Sequence, residues 1–289
     1  MKKRIASLAL MCALSLTAFA QNLIQETRNV NAFTGISASS AFNIELKKGP
    51  AQSVVIECDQ RDMQYIKTEI RNGVLRLYYS SPARISRTKT SFKAYITITE
   101  LDFLDLSGAC SFTAHDLFTP KRFKADISGA SKVNGLRLHT EDADIETSGA
   151  GSTTMEINAN RTSIKASGSS RHNINGSMNQ VNMEVSGASR IQANIKSDRI
   201  RLEASGASNI TFEGEATQAK VSLSGASSLT AQKMIVKEME VSASGASKAN
   251  VHVTESLSPS LSSSSRLVYE GSPQINNIKI SSGATINRR

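Results

Sequence analysis

A four-residue pattern, Ser-Gly-Ala-Ser or a close variant, recurs from Ser107 toward the C-terminus and constrains the fold of this chain more than any other feature. Its glycines fall at Gly108, Gly129, Gly149, Gly168, Gly187, Gly206, Gly225 and Gly245, with gaps of 21, 20, 19, 19, 19, 19 and 20 residues. The pattern then decays to Ser263 within Ser262–Ser265 and to Ser282 before Gly283, and Ser39-Ser40-Ala41 reads as an early degenerate copy. Sequence self-similarity at a fixed period of this size marks a repeat architecture. Apolar residues keep register with the glycine. Positions −6, −4 and −2 read Val181/Met183/Val185 and Ile200/Leu202/Ala204, and positions +4, +6 and +8 read Ile191/Ala193/Ile195 and Ala249/Val251/Val253. Period-two alternation on both sides of the motif predicts two half-buried strands per repeat joined at a corner, and no 3.6-residue period survives to support a helix.

Two short strands cannot bury their apolar face alone, so the repeats must stack. The expected fold is all-β: a parallel β-solenoid of about ten coils, each about 4.8 Å above the last. Leucine-rich repeats share the period but need a Leu/Asn signature that is missing, and a β-sandwich has no reason to repeat one corner. Glycine suits a corner where the backbone bends into a conformation closed to other residues. Aligned serine hydroxyls are expected to bond along the column. At +2 the corner column reads Cys110, Ser131, Gly151, Ser170, Ser189, Ser208, Ser227, Ser247, Ser265, so Cys110 is most simply a serine substitute.

The first twenty residues read as an address. Lys2, Lys3 and Arg4 precede the apolar run from Ile5 to Leu16, and Ala18-Phe19-Ala20 supplies small-x-small spacing for cleavage before Gln21. Residues 1–20 are therefore expected to be a signal peptide, and 21–289 a single solenoid domain with an irregular cap over 21–106 and regular coils over 107–289. Loss of three cations takes the formal charge from +9 to +6 over the remaining 269 residues. Export to the periplasm, outer surface or extracellular space follows. Cys12 lies in the apolar run, without the small residue before it that a lipoprotein site needs. Cys58 and Cys110 remain, open either to a disulfide in an oxidising compartment or to two small buried thiols. No stretch of 18 uncharged apolar residues follows the N-terminus, so no spanning helix is expected. In the cap, Ile44/Leu46, Val54/Ile56/Cys58, Leu75/Leu77/Tyr79 and Tyr95 to Leu106 are strand-like. Asn72-Gly73 predicts a hairpin, and Pro82 to Thr90 reads as an exposed loop.

Taken together, the opening from Phe33 to Gly49, the junction Leu101-Asp102-Phe103-Leu104-Asp105-Leu106-Ser107-Gly108-Ala109 and the later corners resemble the head GIN domain family, described as auto-transporter adhesins. The resemblance covers roughly Phe33 to Arg266. It implies a right-handed parallel β-helix in an exported bacterial protein, and it brings no catalytic residues with it.

Parallel β-helices also host polysaccharide-degrading enzymes, whose chemistry needs clustered carboxylates on outward columns. Position −3 reads Asp126, Glu146, Lys165, Glu184, Glu203, Ser222, Ser242. Its two acid pairs, Asp126/Glu146 and Glu184/Glu203, would lie about 5 Å apart by coil spacing. They fit either a carboxylate pair for acid–base work or a solvated strand face, and the second is favoured because Lys165 separates them. His115, His139, His172 and His252 share no register and no metal spacing. His172, at inward position +4, reads as packed and hydrogen-bonded. Serines are abundant, but no nucleophile elbow is present. Neither cofactor nor metal is expected, and the chain reads as a non-enzyme.

A binding surface has better support. Position +3 reads Lys132, Ser152, Arg171, Arg190, Asn209, Ser228, Lys248, Arg266, a broken basic stripe. Position +5 reads Asn134, Thr154, Asn173, Gln192, Thr211, Thr230, Asn250, Val268. Lys132, Arg171, Asn173, Arg190, Gln192, Lys248 and Arg266 are the candidate binding residues, with an acidic glycan or envelope polymer as the expected partner. The alternative is that the amides bond one another along the stack while the cations prevent lateral aggregation. A purely structural or oligomerising spacer is a third reading. Nucleic acid is not expected without interleaved aromatic and basic residues.

Overall fold

The computed structural model describes residues 22–81 and 92–289; the expected signal peptide and the expected loop at Pro82 to Thr90 lie outside them. The described residues are all-β apart from one 3₁₀ turn at Met63–Tyr65. It is a β-solenoid of about ten turns.

Each regular coil is one long strand path, such as Arg190–Ala204, bonded in parallel to the coils before and after it. Side chains alternate inward and outward until two consecutive outward residues reset the phase. In this coil those residues are Asp198 and Arg199; Asn179-Gln180, Thr217-Gln218 and Lys237-Glu238 do the same in others. This polar doublet is a second bend. Ile191, Ala193 and Ile195 therefore face Ile200, Leu202 and Ala204 across the interior, and all six are buried. The coil is a flattened loop of two sheets, with the Ser-Gly-Ala-Ser corner at one edge and the doublet at the other. At the second bend Ser197 Oγ donates to the carbonyl oxygens of Asn179 and Arg199, and Thr140 Oγ1 does the same toward Lys121 and Asp142.

The glycine corners stand in a single column. The Ala207 N–H donates to the Gly187 carbonyl at 2.8 Å, Ala188 to Gly168 and Ala226 to Gly206 likewise, and the series begins at Ser40 with the Ala109 N–H. Gly206 has φ +72°, and a Cβ there would lie 2.5 Å from the Gly187 carbonyl oxygen. Ser40, Ser263 and Ser282 hold positive φ at the column's ends, so the degenerate copies at 39–41, 262–265 and 282 are corners too.

The buried serines at +2 do something different from the expected ladder. Ser208, Ser227, Ser247 and Ser265 each donate to the carbonyl three residues back, at 2.7–2.8 Å. The hydroxyl closes its own corner, because the carbonyl of the leading serine lies nearer than the next hydroxyl. Ser170 and Ser189 do meet between coils, at 3.1 Å. Cys110 reproduces the local bond, its Sγ lying 3.3 Å from the Ser107 carbonyl.

Repeats longer or shorter than 19 residues are absorbed within the sheets. The extra residue of the coil Lys132–Thr147 bulges between Asn134 and Leu136, and the strand Ser228–Ala243 slips against its neighbours at Thr211/Glu213 and Ala231/Ile235. The corner column stays straight.

The N-terminal region extends both sheets and closes the end. On one side Gly35–Ala38 lies between Phe103–Leu106 and Val74–Tyr79. The latter is paired antiparallel with Ile66–Arg71 through the Asn72-Gly73 hairpin. On the other, Phe42–Lys48 lies between Ser111–Ala114 and Phe92–Ile98, which is followed by antiparallel Ser53–Asp59 and Leu23–Arg28. The run from Tyr95 to Leu106 is thus two strands, broken after Ile98, and they belong to different sheets. Phe33, Phe42, Phe92, Phe112, Phe118 and Phe123 are all buried in and near this cap, where irregular spacing needs large side chains.

Replacing Gly206 by Val should destabilise the protein by about 2–4 kcal/mol, from the left-handed backbone and the forced separation of two coils. Ser205→Ala one residue away should cost far less, and denaturant melts of both variants check the difference. Cys110→Ser keeps the bond to Ser107 and should change stability by less than about 1 kcal/mol.

Candidate functional site

The parallel register fixes which outward side chains become neighbours. Lys132, Ser152, Arg171, Arg190, Asn209, Ser228, Lys248 and Arg266 form one continuous column on the first sheet, with Ser111 before Lys132 and Thr285 after Arg266. All five of its cations are exposed. None of them has an acidic partner among the described residues, and Arg171 and Arg190 are direct neighbours. Like charges directly opposite are unfavourable. Two and three columns further along the same sheet the pattern is the reverse. Arg137 pairs with Glu156 at 2.9 Å, Lys233 with Glu213 at 3.0 Å and Lys196 with Glu215 at 2.6 Å, in each case across to the adjacent coil. The charge of the +3 stripe is left uncompensated while the charges beside it are cancelled.

Asn134, Thr154, Asn173, Gln192, Thr211, Thr230, Asn250 and Val268 form the +5 column. No side-chain hydrogen bond joins Asn134, Asn173, Gln192 or Asn250 to a neighbour among the described residues. An amide–amide bond between coils does form elsewhere: Asn179 Nδ2 donates to Asn160 Oδ1 at 3.0 Å at the second bend. The structure therefore brings Lys132, Arg171, Asn173, Arg190, Gln192, Lys248 and Arg266 onto one face with their donors unspent.

The second sheet carries the candidate carboxylate pairs. Asp126, Glu146, Lys165, Glu184 and Glu203 are consecutive in register. One member of each acid pair is neutralised by the cation two residues before it on the same strand: Lys124 to Asp126 at 3.0 Å and Arg201 to Glu203 at 2.6 Å. Among the described residues no three His, Cys, Asp or Glu side chains converge in a way that could hold a metal ion. This sheet also bears a long groove of about 1310 Å³, walled by Arg161, Gln180 and Arg199 on one side and Glu184 and Glu203 on the other. The residue columns alone did not reveal it. Its signal was the polar doublet eight and seven residues before each corner glycine, which places the second bend and so creates the groove's far wall.

The remaining reactive groups are buried and quiet. Cys58 and Cys110 are free thiols in the core. Burial, reinforced by Asp62, pushes the Cys58 thiol up to about 11, and burial raises Cys110 as well. A thiol held protonated is a poor nucleophile. His172 is packed inside, as its position implied. Its Nδ1 lies 2.8 Å from Thr153 Oγ1, and its Nε2 lies 2.9 Å from Ser170 Oγ and 3.1 Å from Thr147 Oγ1. Burial lowers the His172 pKa to about 4.

The family model described as "Putative auto-transporter adhesin, head GIN domain" matches residues 32–194 and 180–273. Among solved structures, one described as a putative adhesin from Parabacteroides merdae has a TM-score of 0.53 at 15% identity, covering 93% of this chain and 96% of that one. A second, described as a putative adhesin from Parabacteroides distasonis, has a TM-score of 0.53 at 17% identity, covering 92% and 97%. At such identity these likenesses speak to the fold. No curated protein matches the chain, and no helix among the described residues is long and apolar enough to cross a membrane.

Since His172 titrates near 4 when folded and at 6.5 when free, the unfolded chain alone takes up a proton as pH falls between those values. Stability should be fully present above about pH 6.5, decline toward pH 4 by about 3 kcal/mol and then level off for this group. Denaturation midpoints across that range should show the slope in the native chain, and His172→Gln should flatten it.

Proposed function

The chain belongs to the head GIN domain family, and from that premise we propose that it is an exported, non-catalytic interaction module of the cell envelope or surface. It holds an acidic glycan or envelope polymer on the basic and amide face of its first sheet. The observation that carries this reading is the contrast between columns. Lys132, Arg171, Arg190, Lys248 and Arg266 stand exposed in one register line without counter-charges among the described residues, while Arg137, Lys196 and Lys233 on the same sheet are each bound by an acid of an adjacent coil. A sheet that pairs Arg137, Lys196 and Lys233 with acids and leaves one line of cations bare presents a long, narrow positive field, and such a field favours an extended polyanion. The unspent amides of Asn173 and Gln192 beside it supply donors and acceptors that a sugar acid uses along with its charge.

A catalytic role has less to stand on. One carboxylate of each candidate pair, Asp126 and Glu203, is tied to Lys124 or Arg201, and both thiols are held protonated by burial. The apolar run and cleavage pattern at residues 1–20 support export, and that segment is proposed to be removed as a signal peptide.

The test is the triple reversal Arg171→Glu, Arg190→Glu, Lys248→Glu. The native chain should be retained on an immobilised acidic polysaccharide and released by added salt, as expected for screened charges. The triple variant should lose retention by roughly tenfold or more with an unchanged melting temperature, because the replaced side chains are exposed. Retention equal to that of the native chain would eliminate this face as the contact surface.

A further inference from the structure

The groove on the second sheet is separate from the basic stripe, lies on the other side of the glycine corner and is built differently. We propose that it is a second binding site, for a linear uncharged polysaccharide lying along the solenoid axis with one sugar per coil, centred on Gln180, Asn182 and Arg199.

Shape points to a chain rather than a compact ligand. The groove runs from the coil of Asp102 to that of Ser256, nine coils, or about 38 Å at the strand spacing. Repeat length then separates polymer classes. An extended polypeptide presents equivalent side chains about every 6.6–6.8 Å, out of step with coils about 4.8 Å apart. An extended β-linked pyranose chain advances by close to one coil per sugar, so each ring meets the same two columns as its neighbours.

Charge excludes a polyion. Six cations and seven acids line the groove, and most are already engaged. Arg161 holds Asp142 at 2.6 Å, Arg201 holds Glu203 at 2.6 Å, Lys220 holds Glu240 at 2.8 Å, and Gln218 donates to Glu238 at 3.0 Å. A ligand that binds here must form hydrogen bonds without displacing these pairs, which is the chemistry of neutral hydroxyls.

The middle of the groove is where such bonds are on offer. The row Gln180, Asn182, Glu184 lies between the row Arg161, Ser163, Lys165 and the row Arg199, Arg201, Glu203. None of Gln180, Glu184, Ser163 and Arg199 spends its side chain on another described residue. Asn182 Oδ1 is buried and accepts no hydrogen bond, and a buried acceptor of this kind calls for a donor. A sugar hydroxyl accepting from Gln180 or Arg199 and donating to Glu184 uses exposed groups, a turn of the Asn182 amide on binding would bring its Oδ1 to a second hydroxyl, and planar amide and guanidinium groups suit vicinal hydroxyls. The chain has no Trp, and Phe123, the groove's one aromatic, is buried. Affinity must therefore accumulate from hydrogen bonds along the chain rather than from ring stacking.

Cellohexaose, xylohexaose and mannohexaose, titrated by calorimetry against the full chain, test this. At least one should bind, roughly tenfold more tightly than its trisaccharide and with little dependence on salt. The double variant Gln180→Ala, Arg199→Ala, both at exposed positions, should weaken binding roughly tenfold or more at an unchanged melting temperature. The triple reversal of the basic stripe should leave it intact. Failure of all three hexasaccharides to bind at millimolar concentration would overturn the proposal, as would unchanged binding by the double variant. Loss of neutral-sugar binding on reversing the stripe would place the contact on the first sheet and overturn it equally.

Discussion

The close approach of successive corners governs this molecule. At Gly187 a Cβ would stand 2.4 Å from the Gly168 carbonyl oxygen, and at Gly206 2.5 Å from that of Gly187. The same carbonyls accept the N–H of Ala188 and Ala207 at 2.8 Å. The ladder on either side sets the rise from coil to coil, so the bend must keep that rise too, and it can do so only where no side chain intrudes. Two consequences follow. Glycine recurs because the hydrogen-bonded spacing leaves no room for anything larger. Variation in repeat length is displaced to the sheets, where bulges near Gly135 and in Ser228–Ala243 absorb it, since a pleated surface tolerates an extra residue and the corner does not.

Once the coils are in register, surface chemistry becomes a matter of columns. A charge on one coil meets the residue one period away, and the structure uses this in two ways. Arg137/Glu156 and Lys220/Glu240 are cancelled across neighbouring coils, whereas Arg171 and Arg190 are set side by side. The two faces that flank the glycine corner therefore differ in kind. One keeps its positive field, and the other balances its charges around a groove whose central row is amide-rich. A rigid repeat is well suited to both, because side chains fixed at equal steps can match a polymer that repeats at a similar step.

Much of this was legible in the chain. Corner positions, inward residues, the +3 and +5 columns, the Asn72-Gly73 hairpin and the burial of His172 all follow from the period of the glycine and the alternation around it. Ser40 could be read as a corner from three residues. The serine hydroxyls went elsewhere than expected. Ser208 and Ser227 bond to their own corners, because a carbonyl three residues back is closer than a hydroxyl one coil away. Tyr95 to Leu106 reads as one strand-like stretch, yet it supplies two sheets, since a change of sheet leaves no mark on alternation when the turn is short.

By itself, then, the sequence determined the stacking: a residue type that recurs at a fixed step, with apolar residues in phase, has one way to satisfy its backbone and bury its side chains. What it left open was how each coil closes and which outward groups find partners. Asp198-Arg199 and its counterparts place a second bend that folds the coil flat and walls the groove. Lys124 and Arg201 reach their own strand's carboxylates rather than the next coil's. Those outcomes depend on side-chain reach and on distances between columns, quantities that exist only once the backbone has been wound.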